Sequence, residues 1–102
     1  MDMNAFSLKG KVAWITGASY GIGFAIAEAY AAAGATIVFN DINRELVDKG
    51  QKGYAEKKID AKGYVCDVTD EDAVQMLVRQ IEKEVGVIDI WSTMPESSAA
   101  SP

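Results

Sequence analysis

One segment constrains the fold of this chain more than any other. A β-branched and aromatic run, Val12-Ala13-Trp14-Ile15-Thr16, gives way to a glycine-punctuated loop, Gly17-Ala18-Ser19-Tyr20-Gly21-Ile22-Gly23. The loop in turn opens into apolar residues three and four apart, Ile22, Ala25, Ile26, Ala29 and Ala33. The first run reads as a buried strand and the second pattern as a helix, stopped by Gly34. The alternation then repeats. Thr36-Ile37-Val38-Phe39 reads as a second strand, ended by Asn40 and Asp41. A charged amphipathic helix is expected from Arg44 to about Lys58, interrupted by Gly50 and Gly53. Tyr64-Val65-Cys66 reads as a short third strand. Thr69 is the expected N-cap of a third helix, with Asp70, Glu71 and Asp72 in its first turn. Val74, Leu77, Val78, Ile81 and Val85 line one face of that helix. After Gly86, Val87-Ile88-Asp89-Ile90 opens a fourth strand.

Strands that are apolar throughout, alternating with helices across short connections, predict a parallel sheet covered on both faces. The fold class expected is α/β, the N-terminal half of a doubly wound (Rossmann) parallel sheet with four strands, and incomplete. At 102 residues the chain has room for one modest core. Residues 1–90 form the expected half-domain. Residues 91–102, Trp91 to Pro102, hold both prolines and four of the six serines, show no periodicity, and read as an irregular tail.

The loop also carries chemistry. A helix start offers unpaired N–H groups and a partial positive charge, which suit a pyrophosphate. Glycines keep side chains out of its way: Gly17 permits the tight turn and Gly23 lets the helix lie close to the strand. Asp41 closes the next strand, where a carboxylate accepts hydrogen bonds from ribose hydroxyls. Together these features predict a dinucleotide-binding unit.

Composition removes other classes. The chain has no histidine and one cysteine, Cys66, which excludes a His/Cys zinc site, a histidine-based triad and an intramolecular disulfide. A lone cysteine fits a reducing compartment, and a cytoplasmic location is expected. Net charge is −5, the opposite of the usual balance in a nucleic-acid binder. Six of the ten cations (Arg44, Lys49, Lys52, Lys57, Lys58, Lys62) fall in one stretch, interleaved with Glu45, Asp48, Glu56 and Asp60, and read as a solvated helix face. No apolar run follows a basic start, so no secretory signal is expected. The longest uncharged stretch, Val12 to Ala27, has 16 residues with three glycines, too short and broken to span a bilayer. Neither nucleic acid, membrane nor metal is an expected partner.

The spacing Thr-Gly-x-x-x-Gly-x-Gly resembles the short-chain dehydrogenase/reductase family. The resemblance runs from about Phe6 to Ile90 and includes Leu8-Lys9-Gly10-Lys11-Val12, Asn40-Asp41, Cys66-Asp67-Val68-Thr69 and Gly86-Val87-Ile88-Asp89-Ile90. Within the family, TGASYGIGFAIA and FNDINRE look most like the gluconate 5-dehydrogenase group. The resemblance implies NAD as cofactor, with NADP also possible. It implies that Gly17, Ser19, Tyr20, Gly21, Ile22 and Gly23 form the pyrophosphate and ribose loop. Asp41 would take the adenosine ribose and Ile42 would lie beside the adenine. Asp67 would bond the adenine amino group, with Val68 near the ring; the alternative for Asp67 is an acid at the entry to the third helix. A full-length parent would act on a sugar acid and assemble as a homotetramer.

Family chemistry needs a Tyr-x-x-x-Lys pair beyond the fifth strand, with a serine upstream of it and an asparagine. The pair found here, Tyr54-Ala55-Glu56-Lys57-Lys58, lies between strands two and three. It is expected to be non-catalytic, with a partly buried ring and a solvated lysine, and to tolerate Tyr54→Phe within ~0.5 kcal/mol. No catalytic residue is assigned, and the chain alone is expected to be inactive. The family also places Asn-Asn-Ala-Gly after strand four, where this chain has Trp91-Ser92-Thr93-Met94-Pro95-Glu96. When those codons are regrouped by one base, with a pyrimidine supplied in front and Ser92 encoded as TCN, Val and Ala are forced at the second and fifth positions. Leu, Asn, Asn and Gly are permitted at the others. The tail thus reads as a frameshift near codon 90, and the chain as the truncated cofactor half of a dehydrogenase. The alternatives are a non-catalytic nucleotide-binding module and a nonfunctional product. With no fifth strand, an open edge at strand four, an under-buried Trp14 and a marginal monomer are expected.

Overall fold

The computed structural model describes residues 7–92. Phe6, and the part of the expected tail from Thr93 to Pro102, lie outside the described residues. The elements run β1 (Val12–Thr16), α1 (Gly21–Ala32), β2 (Thr36–Asp41), α2 (Arg44–Glu56), β3 (Ala61–Val65), α3 (Glu71–Glu84) and β4 (Ile90–Ser92). All strands pair in parallel, in the order β3-β2-β1-β4. This is the expected α/β architecture. Alternate residues of β1 serve opposite faces. Ala13 and Ile15 join Ile37, Phe39, Val47 and Tyr54 in one cluster. Val12 and Trp14 join Val38, Tyr64, Leu77 and Ile81 in the other. Helices α1 and α2 therefore cover one face and α3 the other, and the sheet's C-terminal ends are left facing one rim.

Several expectations are corrected. The buried face of α1 is Gly23 and Ala27, whereas Ile22 is 70% exposed. The helix lies on the sheet through small residues, so Ile22 turns outward while Ile26 packs at the margin of the core. The third helix is capped by Asp70, which accepts from Ala73 N–H at 3.1 Å, and not by Thr69. Thr69 is engaged elsewhere: its N–H and hydroxyl both donate to Asp67. Strand β3 starts at Ala61, and β4 begins at Ile90 and runs through Trp91 and Ser92. Asp89 explains the late start of β4. Its N–H donates to the Val12 carbonyl and its carboxylate accepts Val12 N–H at 2.9 Å, so a side chain stands where a strand carbonyl would.

Trp14 is fully buried, contrary to expectation. Trp91 stacks on it with ring centroids 4.7 Å apart, and the indole N–H donates to Asn40 at 2.7 Å.

Tyr54 also differs from its expected place. It is fully buried, stacked on Phe24 at 4.3 Å, and its hydroxyl donates to the Ala18 carbonyl at 2.6 Å. Burial pushes its phenol well above the ordinary range, with Glu28 adding to the shift. Lys58 lies beyond the end of α2 at φ 61°. There the Lys58 N–H reaches the Ala55 carbonyl and the Ile59 N–H reaches the Tyr54 carbonyl. This is a Schellman ending, so the lysine does not share a helix face with the tyrosine. Tyr54→Phe strands a buried carbonyl and should cost about 1–3 kcal/mol in chemical denaturation, in place of the near-neutral change expected from the sequence.

A polar clasp ties the β3 edge to α3. Glu84 accepts from the Tyr64 hydroxyl at 2.7 Å and lies 2.7 Å from the Lys62 ammonium. These contacts, Lys62 first, bring its carboxyl down to about 2 from an ordinary 4.5. A depressed carboxyl stabilises the fold above its unfolded pKa, and that contribution fades as pH falls through the folded value. The melting temperature should therefore drop more steeply between pH 4.5 and 2 in the unmodified chain than in Glu84→Gln. Parallel curves for the two proteins would refute this. Among the described residues no helix is long and apolar enough to cross a membrane.

Candidate cofactor site

The rim at the C-terminal ends of the strands carries the expected residues. Gly17 and Gly21 hold φ near +67° and +68°, a left-handed conformation that favours glycine. The loop leads into α1, whose N-cap Tyr20 is extended and makes no side-chain capping bond, and whose first turn has no acid. Helices α2 and α3, by contrast, are capped by Asn43 and Asp70 and carry first-turn acids. The α1 terminus therefore keeps its donors and its positive end for an anion. Gly23 fixes how close helix and strand come. A Cβ there would sit 2.8 Å from the Gly17 oxygen and 3.0 Å from the Ala18 Cα.

A hollow of about 200 Å³ opens beside the loop, lined by Thr16, Gly17, Asn40, Asp41, Ile42, Cys66, Asp67 and Val68. It brings together five of the residues expected from the sequence: Gly17, Asp41, Ile42, Asp67 and Val68. Ser19, Tyr20 and Gly21 instead line a second hollow toward α2, beside Lys49 and Lys52. Ile22 faces solvent and Gly23 is buried under the loop. One oxygen of Asp41 accepts Ile42 N–H at 2.9 Å, which orients the carboxylate at the strand end. Asp67 is exposed, and its carboxyl is held below the usual range by the Thr69 hydroxyl and then the Thr69 N–H. It is an anion at neutral pH on the wall of the hollow.

Sequence reasoning missed Asn40. Its amide is 2% exposed, accepts from Trp14 on β1 and donates to the Cys66 carbonyl beyond β3 at 3.2 Å. One side chain thus ties the middle of β1 to the end of β2 and the residue after β3, at the floor of the hollow. The available signal was an amide closing an apolar strand. Cys66 is buried, and burial, then Asp67 and Asp70, push its thiol up, so it lines the floor as a neutral group.

A glycine loop at an uncapped helix start, beside a carboxylate ending the next parallel strand, defines a nucleotide-binding α/β protein. The site combines backbone amides at the α1 start, the acceptor carboxylate of Asp41 and the apolar side chains of Ile42 and Val68. Residues 11–93 match the short chain dehydrogenase family, and the chain belongs to it. It is 43% identical over 91 residues to a 2-dehydro-3-deoxy-D-gluconate 5-dehydrogenase of Formosa agariphila, covering 88% of this chain and 34% of that protein. Among solved structures, 2-keto-3-deoxy-D-gluconate dehydrogenase from Streptococcus agalactiae superposes with a TM-score of 0.83 at 67% identity, over 84% of this chain and 32% of the other. A gluconate 5-dehydrogenase from Burkholderia cenocepacia, solved with NADP and tartrate, superposes with a TM-score of 0.78 at 36% identity, over 87% and 35% of the two chains. The chain thus spans about one third of the length of the relatives it matches.

Proposed function

We propose that residues 1–90 are the cofactor-binding half-domain of a nicotinamide-dinucleotide-dependent dehydrogenase of sugar acids in the gluconate class, working in the cytoplasm as part of a larger homo-oligomeric enzyme. The observation that carries this reading is the meeting of Gly17 and Asp41 in one hollow, beside the uncapped start of α1. The nicotinamide, when bound, supplies or accepts the hydride at C4, and a sugar-acid carbonyl or carbinol is its counterpart. The loop amides of this chain hold the pyrophosphate. Asp41 holds the adenosine ribose, and Ile42, Asp67 and Val68 enclose the adenine. No catalytic residue is assigned in this reading, and Tyr54, the tyrosine of the Tyr54–Lys58 pair, is sealed in the core. The 102-residue chain therefore binds cofactor without turning substrate over. We further propose that Trp91 onward is read in a shifted frame, because the codons of Trp91 to Glu96, regrouped by one base, are compatible with Leu-Val-Asn-Asn-Ala-Gly.

Asp41 sets the choice of cofactor. A 2′-phosphate beside its carboxylate is disfavoured by at least ~1 kcal/mol even when well screened, about fivefold in affinity. Neither position 20 nor position 42 supplies a cation to offset that repulsion; Arg44, the one residue that could, pairs with Asp48 at 3.7 Å. Calorimetric titration of the chain should give tighter binding of NAD than of NADP, and Asp41→Ala should weaken NAD and close the gap. Equal or tighter NADP binding by the unmodified chain would overturn the assignment.

A further inference from the structure

Helix α2 meets the glycine loop at one buried joint. Gly50 packs where a Cβ would fall 2.8 Å from the Ser19 Cα, and one turn further on the Tyr54 hydroxyl donates to the Ala18 carbonyl at 2.6 Å. That carbonyl belongs to the peptide linking Ala18 to Ser19. Peptides are planar and trans, so its C=O and N–H point in opposite directions. A hydroxyl that holds the carbonyl toward α2 therefore holds the Ser19 N–H away from α2. The Ser19 side chain leaves the same unit. It is 3% exposed, and its hydroxyl oxygen has no hydrogen-bond partner among the described residues. The ring that carries the Tyr54 hydroxyl has little freedom, since it is stacked on Phe24 at 4.3 Å and tilted against Phe39 at 5.0 Å. The donor is thus presented from a rigid position to a loop that contains two left-handed glycines.

We propose that Tyr54 is a positioning residue of the nucleotide site, orienting the Ala18–Ser19 peptide so that the Ser19 N–H and hydroxyl face the phosphate–ribose segment of a dinucleotide. The inference rests on the cofactor reading above and assigns it a residue outside the loop. Tyr54 acts through the peptide and touches no ligand itself, so its removal should lower affinity beyond any effect of lost stability.

The test uses the full chain and ADP-ribose as probe, with affinity read by calorimetry and stability by thermal melting. Gln51→Ala is the control. Gln51 lies on the same helix but bonds the Ala61 carbonyl at 2.6 Å and Gly63 N–H at 2.8 Å, away from the loop. Tyr54→Phe should weaken ADP-ribose by about fivefold or more, as expected for a lost oriented hydrogen bond. Gln51→Ala should lower the melting temperature and leave affinity within about twofold. Replacing Tyr54 with 4-aminophenylalanine, which keeps ring and donor, should restore binding. If Tyr54→Phe is unfolded in buffer, the titration is run in trimethylamine N-oxide, which favours the compact state without replacing the donor. Folded Tyr54→Phe with unchanged affinity overturns the proposal, as does an equal loss in Gln51→Ala. A folded, unmodified chain that binds no ADP-ribose overturns the cofactor reading and this inference with it.

Discussion

Gly23→Ala should destabilise the chain by about 1–3 kcal/mol and abolish saturable dinucleotide binding. The added methyl would meet the Gly17 oxygen at 2.8 Å and the Ala18 Cα at 3.0 Å, and both are backbone atoms. No rotamer change relieves such a contact, so either α1 lifts from β1 or the loop shifts. Lifting α1 opens the packing of Ala27 against the core. Shifting the loop moves the amides at the α1 start away from where they are proposed to hold the pyrophosphate. Binding should thus be lost even in conditions where the fold survives. Ala25→Ser, an exposed change on the same helix, should leave stability within ~0.5 kcal/mol and affinity unaltered. Retained binding by a folded Gly23→Ala chain would show that the loop does not hold the cofactor.

Restoring the reading frame should have the larger functional effect. One pyrimidine inserted after codon 90 should replace Trp91 to Glu96 with Leu-Val-Asn-Asn-Ala-Gly. It should also open a frame that encodes a Tyr-x-x-x-Lys downstream of a serine. The tyrosine of such a pair hands on the substrate proton, and the lysine one turn away lowers its pKa. NAD-linked oxidation of a gluconate-class acid should go from none in the 102-residue chain to a readily measured rate. The change also removes Trp91 from its stack on Trp14, and leucine can cover part of that ring at position 91. If the DNA beyond codon 90 contains no such frame, residues from Trp91 on are genuine protein, and the chain is a nucleotide-binding module in its own right.

The parts of the fold that could be read from the sequence are those governed by local chemistry. Val12–Thr16 is buried at every position, as a continuous apolar run between two helical layers requires. Gly17 and Gly21 adopt the backbone that only their lack of a side chain makes easy, and Gly34 ends α1 at φ 104°. Side-chain periodicity served α3 well, because Leu77 and Ile81 face the core. It misled for α1, where proximity to the sheet selects Gly23 and Ala27 and turns Ile22 outward. Thr69 and Asp70 both suit a cap, and the choice between them rests on Thr69 being bonded to Asp67, a competition invisible in residue types alone.

The site divided in the same way. Asp41, Ile42, Asp67 and Val68 converge because parallel strands bring their C-terminal ends to one rim. The supports beneath them draw on residues distant in the chain. Asn40 joins Trp14 to Cys66, and Tyr54 reaches back 36 positions to Ala18. In the sequence Tyr54 reads as a partly buried ring beside a solvated lysine. The phenol is buried because Gly50 and Gly53 let α2 approach Phe39 and Phe24 closely. The glycines that weakened the helix pattern in the sequence make that contact possible.

The central claim is that this chain alone holds a nicotinamide dinucleotide through its glycine loop and Asp41. Isothermal titration of the monomeric, folded 102-residue chain with NAD tests it most directly. The account predicts a single saturable site, competed by ADP-ribose, weakened by Asp41→Ala and lost in Gly23→Ala. A folded chain that shows no saturable heat with NAD, or one whose binding is indifferent to both substitutions, would contradict it.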